Sequence, residues 1–483
     1  MNPQIRKVGV VMIVLFSALF LQLNYLQVIQ AGNLNDHPAN SRAVVRDFSR
    51  PRGVVQTADG AVIAQSVPSD DAFKFQRQYP LGPLFAHVSG YFSFTYGSEG
   101  VEREYNDALT GKVNQRSFNP RDLLVERDKT ANVTLTLRKD LQELATAQLA
   151  GRKGAVVALD PRTGAILAMA DYPTYDPSAL SAHGQDSVRQ AWTELNADAD
   201  KPLLPRTYRE RYPPGSSFKV VTAAIALATG EATPSQPVFP NLRELPLPDA
   251  GGQTLANFGG GSCGGPLSEA LRVSCNTAFA QLGLDLGAQR LSAGAEAFGF
   301  NKAPPIDLPF AAASNFPPAG DFARDLPGLA KSAIGQQDVA ATPLQMALVA
   351  AGIANNGVVM TPHVMGEIRD TDGEVIQQYA PNPWLTAVPP AVAQQTRDMM
   401  VGVVAGGSGS RAQIPGVTVA GKTGTAQTGL DTSHVWFIAF APAEAPRVAV
   451  AVMLEDQSSR TEATGGALAA PIAQAVIRAA LAL

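Results

Sequence analysis

Ser216 and Lys219 stand three residues apart in the stretch "PPGSSFKVVTAA", Pro213 to Ala224, where a Pro-Pro-Gly break gives way to an apolar run. On a helix that spacing sets both side chains on one face. A serine hydroxyl is a weak nucleophile until a neighbour takes its proton. A lysine can take it when burial or a nearby cation lowers its pKa. The bland alternative is a capping serine beside a solvated lysine. Two further groups follow in order, Ser274-Cys275-Asn276 and Lys422-Thr423-Gly424-Thr425. Ser117-Phe118-Asn119 has the same form as the second group and reads as a loop before Pro120.

Each residue has a chemical task. Ser216, at a helix start, can attack a carbonyl while backbone N–H groups there stabilise the oxyanion. Lys219 is the candidate base. Ser274 can relay a proton to a leaving amine, and Asn276 can hold a substrate amide and orient Lys219. Lys422 sets positive charge opposite a substrate carboxylate. Thr423 and Gly424 line the substrate strand, Gly424 letting a peptide backbone approach the strand edge and pair with it. Thr425 offers its hydroxyl to the carboxylate and its N–H to the oxyanion. The competing reading is a glycine in a strand beside a solvated lysine.

These residues need a large scaffold, and 483 residues at 45% hydrophobic content supply one, with two or more domains. The net charge of −4 and the lack of a basic stripe argue against a nucleic-acid partner. Two cysteines make no zinc site and the five histidines form no H-E-x-x-H pair, so neither metal nor cofactor is expected. Arg6 and Lys7 precede an uncharged stretch that runs to Asp36, and residues 8–29 are long enough to cross a bilayer. The basic flank stays cytoplasmic and sends the body outward. A cleaved signal peptide is the alternative, but no clear A-x-A site follows. A buried soluble helix is a third. An exported body is compatible with a Cys263–Cys275 disulfide, with free thiols the alternative.

The division expected is a cytoplasmic tail (1–7), an anchor (8–29), a small non-catalytic pedestal (30–130) and a catalytic domain (131–483), with 31–50 a polar linker. "RPRGVVQTADGAVIAQS", from Arg50, reads as a hairpin about Asp59-Gly60. A short helix is expected over Val101–Leu109, and Glu99, Glu102 and Glu104 read as its solvated face rather than as acid chemistry. "NVTLTLRKDLQELATAQLAG" reads as strand then amphipathic helix, and Lys153–Pro173 as a hairpin. A helix starts near Ser216, and residues 230–330 read as helix and loop. Thr342–Gly357 is a buried helix. Three strands and a last helix, about Gly466–Leu483, close the chain. The fold class is α+β, an antiparallel sheet packed by helices, its strands drawn from both ends of the domain.

S-x-x-K, S-x-N and K-T-G in this order are the triple of serine β-lactamases and penicillin-binding proteins. The chain resembles a class B penicillin-binding protein, a peptidoglycan D,D-transpeptidase. The likeness extends over "SEGVEREYNDALTG", "KGAVVALDPRTGAILAMADYPTYDPSAL", "AIGQQDVAATPLQMALVAAGIANNG" and "VAGKTGTAQ", nearly the whole chain. Its short pedestal is similar to the penicillin-binding protein A type. The resemblance implies that Ser216 attacks the D-Ala-D-Ala bond of a stem peptide and passes the acyl group to an amine on a neighbouring stem. It implies covalent capture of β-lactams and a role in growth or division. It also implies partnership with a membrane-embedded SEDS-type glycosyltransferase and other cell-wall synthesis proteins. Cys275, at the middle of the second motif, departs from the family pattern and is read as structural.

Rival readings share parts of this pattern. A class A β-lactamase places a Glu and an Asn between the second and third motifs, whereas Glu194-Leu195-Asn196 precedes Ser216. A D,D-carboxypeptidase would pass the acyl group to water. A penicillin sensor needs a cytoplasmic signalling domain, and about seven residues precede the expected anchor. A catalytically idle scaffold for a glycosyltransferase would not need Ser216 and Lys219.

Overall fold

The computed structural model describes residues 3–30, 48–112, 130–428, 432–458 and 463–483. Most of the expected linker and the Ser117-Phe118-Asn119 copy lie outside the described residues. The chain divides into two compact units, one of Met1–Pro51 with Val67–Gln76, the other of Arg52–Ser66 with Arg77–Leu483.

The first unit carries a helix, Pro3–Asn24, that continues as a π turn over Tyr25–Ile29. Its apolar side chains are exposed all round, and the 27-residue span is long and apolar enough to cross a membrane. Its residues Phe48 and Phe73 meet edge to face.

In the second unit the expected hairpin forms, with Val55 opposite Ala64. Val55–Gln56 also pairs in parallel with Ala131–Leu135, which in turn pairs antiparallel with Met365–Asp370, so that Val55 and Ile368 both meet Val133. The strand that opens the expected catalytic domain is thus a member of the hairpin's sheet. The expected helix over Val101–Leu109 is two short ones, Gly100–Glu104 and Asn106–Leu109.

The solvated acidic face expected there is overturned. Glu104 is exposed, but Glu99 pairs with Arg209 and Glu102 is fully buried. Glu102 takes Arg52 Nε at 3.0 Å on Oε2 and Arg77 Nε at 2.5 Å on Oε1. Burial alone would push its carboxyl up, but the two guanidinium charges outweigh it and hold it below its ordinary value.

The sheet that carries the third motif has five antiparallel strands. They are β1 (Gly154–Leu159), β2 (Ile166–Tyr172), β3 (Ala420–Gln427), β4 (Thr432–Ala441) and β5 (Val448–Ser458), in the spatial order β3-β4-β5-β1-β2. Both ends of the domain supply strands, as expected. Helices cover both faces, which is why β1 reads as an unbroken apolar run. Val156 and Ala158 face a core shared with α1 (Lys139–Leu149) and α6 (Ala470–Leu481), while Val157 and Leu159 face the core that holds α2 (Lys219–Thr229) and α4 (Pro343–Ala354). The remaining long helices are α3 (Asn276–Ala297) and α5 (Pro390–Gly406).

All twelve residues of α4 are buried, and Thr342 caps it by accepting the N–H of Gln345. Helix α2 stops at Gly230, whose left-handed conformation (φ +74°) closes its C-terminus.

Candidate active site

Ser216 does not begin an α-helix as expected. Gly215–Phe218 is a single 3-10 turn, and α2 starts at Lys219. Residues three apart eclipse in a 3-10 turn, so Ser216 and Lys219 still share a face. Gly215 makes this turn with φ +52°, its N–H bonded to Gly335 O at 2.9 Å. A Cβ there would sit 2.6 Å from Thr425 O. The two adjacent serines part company: Ser217 is buried with its hydroxyl on Pro214 O, whereas Ser216 is half-buried and opens into a cavity. Phe218 anchors the turn by stacking on Phe316 and meeting Phe300 edge-on.

Strand β3 runs beside this turn at the edge of the sheet. Its partner β4 sets Trp436 opposite Gly424, and the indole N–H of Trp436 donates to Pro213 O at 2.9 Å, pinning the turn. Gly424 has a packing reason of its own. A Cβ there would meet Pro214 O at 2.7 Å and Trp436 Cβ at 2.9 Å, so glycine is needed to seat the strand against the serine's own turn.

The second group is carried by the start of α3. Ser274 sits at φ +62° and Asn276 is the first residue of the helix. Cys275 is joined to Cys263 by a disulfide, with 5.8 Å between the Cα atoms.

Fully buried Lys219 donates through Nζ to Ser274 O at 2.8 Å and Asn276 Oδ1 at 2.7 Å, and lies 3.5 Å from Ser274 Oγ. Lys422, also fully buried, lies 2.8 Å from Ser274 Oγ and 2.9 Å from Thr423 O. Ser274 Oγ therefore bridges two buried lysine amino groups, and no carboxylate is hydrogen-bonded or ion-paired to either among the described residues. Burial lowers the pKa of Lys219 far below its ordinary value, and the charge of Lys422 lowers it further. Burial brings Lys422 down to about 7.

The cavity, about 950 Å³, is lined by Ser216, Ser274, Asn276, Thr423 and Thr425. Thr423 Oγ1 lies 2.8 Å from Ser408 Oγ, and Thr425 Oγ1 lies near the N–H of Gly465 at 3.5 Å. The structure thus brings Ser216, Ser274, Asn276, Thr423 and Thr425 to one cavity, with Lys219 and Lys422 buried behind it on Ser274. Among the described residues no cluster of three or more His, Cys, Asp or Glu is placed to hold a metal ion.

Sequence reading missed Asn257, Ser408 and Thr464. Asn257 accepts the N–H groups of Asn276 and Thr277 on Oδ1, and the other two line the cavity. The glycine run after Asn257 signals a turn, but nothing local says which helix that turn reaches.

Residues 154–478 match the family model of the penicillin-binding protein transpeptidase domain, and residues 52–133 that of the penicillin-binding protein A dimerisation domain. The chain belongs to the class B penicillin-binding proteins. Within that family it is 42% identical to the peptidoglycan D,D-transpeptidase PbpA of Mycolicibacterium smegmatis, over all of this chain and 99% of that one. It is 30% identical to the peptidoglycan D,D-transpeptidase MrdA of Acinetobacter baumannii, over 82% of this chain and 65% of that one. Among solved structures, the ceftriaxone acyl-enzyme of Mycobacterium tuberculosis penicillin-binding protein A matches with a TM-score of 0.84 at 41% identity. The match covers 90% of this chain and all of that one. The penicillin G acyl-enzyme of the same protein matches at 0.82.

Proposed function

We propose that this class B penicillin-binding protein is a peptidoglycan D,D-transpeptidase in which Ser216 is the acylated nucleophile and Lys219 its base. The observation that carries the assignment is the pair of buried lysines bridged by Ser274 Oγ, with Ser216 opening on the same cavity.

Burial and the charge of Lys422 keep Lys219 neutral, able to accept the Ser216 proton as Oγ attacks the penultimate D-Ala carbonyl. The N–H groups of Ser216 and Thr425 receive the oxyanion. The proton passes from Lys219 through Ser274 Oγ to the nitrogen of the breaking amide, and the terminal D-Ala leaves. Asn276 holds the substrate amide, while Lys422, Thr423 and Thr425 receive its carboxylate. The donor peptide pairs with the free edge of β3. An acceptor amine then attacks the ester, its proton returns to Ser216 Oγ by the same relay, and the cross-link forms. A β-lactam amide opens along the same path but stays tethered to the acyl group, so no amine departs.

The apolar helix of the first unit, flanked by Arg6 and Lys7, supports a single-pass anchor with a cytoplasmic N-terminus and an extracytoplasmic catalytic domain. The family resemblance supports a SEDS-type glycosyltransferase as partner.

A peptide ending in D-Ala-D-Ala, supplied with and without an amine acceptor, tests the reaction. Released D-Ala together with amide-linked product is expected, and Ser216→Ala should give neither. D-Ala release with water as the only acceptor would make the protein a carboxypeptidase.

A further inference from the structure

The Asn257 side chain ties the segment that carries the second motif to the loop and strand on its other side. Its Oδ1 accepts the backbone N–H of Asn276 and of Thr277, each at 3.0 Å. Its Nδ2 donates to Leu242 O at 2.8 Å, Gly261 O at 3.1 Å and Arg243 O at 3.3 Å. The preceding carbonyl, Ala256 O, accepts from Asn276 Nδ2 at 3.1 Å. Asn276 is therefore gripped at its backbone and its side-chain amide by two consecutive residues of another segment.

The first N–H groups of a helix have no partner within it. At α3 the cap residue is Cys275, whose sulfur is committed to Cys263 and which makes no side-chain cap bond. Asn257 supplies the missing acceptor from 18 residues upstream of Cys275. Ser274, one residue earlier, holds φ +62°, a left-handed conformation that a non-glycine residue keeps only when its surroundings impose it. The other Asn276 amide atom, Oδ1, lies 2.7 Å from Lys219 Nζ.

We propose that Asn257 is a positioning residue of the transpeptidase site. Through Oδ1 it fixes the start of α3, and so sets Asn276 and Ser274 in register with Lys219. The proposal rests on the reading of Lys219 as the base of Ser216.

Acylation of the full chain in detergent by benzylpenicillin tests it, with the saturating rate k2 and the pre-acylation constant Ks measured separately and melting recorded in parallel. A cap bond lost at the site corresponds to a fall in k2 of about tenfold in Asn257→Ala, with Ks changed by less than about threefold. In an Asn276→Ala background the same substitution should cost measurably less than in the parent, because part of its effect is routed through the Asn276 side chain. Asn257→Asp keeps the Oδ1 acceptor and suits a helix N-terminus but sets a second oxygen against the carbonyls of Leu242, Arg243 and Gly261, so it should melt earlier yet, assayed well below its own melting point, retain k2 within about threefold of the parent. An additive loss in the double variant, an unchanged k2 in Asn257→Ala, or an Asp variant as slow as the Ala variant would each overturn the proposal while leaving Ser216 as nucleophile. If Asn257→Ala does not fold, the Asp variant decides between the same two outcomes. Failure of the parent chain to acylate would instead overturn the underlying reading, and this proposal with it.

Discussion

Two places in the second unit bury a pair of cations, and they resolve the charge in opposite ways. Under the hairpin, Arg52 and Arg77 flank Glu102, with Asn106 Oδ1 accepting from Arg52 at 2.9 Å and Gly53 O from Arg77 at 2.9 Å. In the active site, Lys219 and Lys422 flank a serine hydroxyl, which offers no compensating charge. Arginine stays protonated and needs an anion beside it, whereas lysine can shed its proton when burial makes the charge expensive. The first arrangement fixes a structure. The second lowers the pKa of a buried amine and so favours the neutral form that its proposed role as base of Ser216 requires.

Swapping the chemistry of one place into the other should give the largest effect. Lys219→Arg keeps the charge but cannot deprotonate, and a lost general base corresponds to a fall in k2 of about a thousandfold or more. Rapid-quench acylation with a fluorescent penicillin reads this, and a rate near that of the parent would dissolve the contrast.

Removing the anion from the other place should cost stability instead. Glu102→Gln leaves two buried guanidinium groups uncompensated, for a loss of about 3–5 kcal/mol in denaturant unfolding of the second unit. Acylation below the melting point should persist. The Glu102 carboxyl is held below its unfolded value, so its stabilising contribution is present above the unfolded carboxylate pKa and is lost as pH falls through the depressed native one. The acid-side difference between parent and Glu102→Gln should shrink accordingly.

A finer test concerns the coupling between the lysines. Acylation should fall on the acid side as Lys219 takes a proton. Lys422→Met removes a like charge that helps to keep Lys219 neutral, so the acid limb of the normalised rate profile should move to higher pH. An unmoved limb would mean that burial alone sets Lys219. The smallest effect is expected from Arg77→Met, which leaves Arg52 and Glu102 as a neutral pair and removes the bond to Gly53 O. A loss of about 1–2 kcal/mol should result, well below that of Glu102→Gln.

The two places also differ in how much of each could be read from the chain. Ser216, Lys219, Ser274, Asn276 and Lys422 are recognisable because each motif is local and the three occur in order. Most strands of the five-stranded sheet announce themselves as apolar runs bounded by turns, as at Asp160–Gly164. Glu102 was misread because its local pattern is that of an exposed helix. Its partners Arg52 and Arg77 lie 50 and 25 residues earlier and are brought to it by packing alone. Asn257 was invisible for the same reason. Gly424 was legible as a motif residue but not in its packing, since only the fold shows Pro214 and Trp436 pressing on the position where its Cβ would be. The pairing of Ala131–Leu135 with Met365–Asp370 likewise joins segments that no window along the chain contains.

The most direct measurement is the intact mass of the protein after incubation with benzylpenicillin, beside Ser216→Ala, followed by peptide mapping. The account predicts a stable adduct of one drug mass on the parent, mapped to the peptide that holds Ser216, and none on the variant. An adduct that persists in Ser216→Ala, or drug consumed with no adduct on the parent, would contradict it.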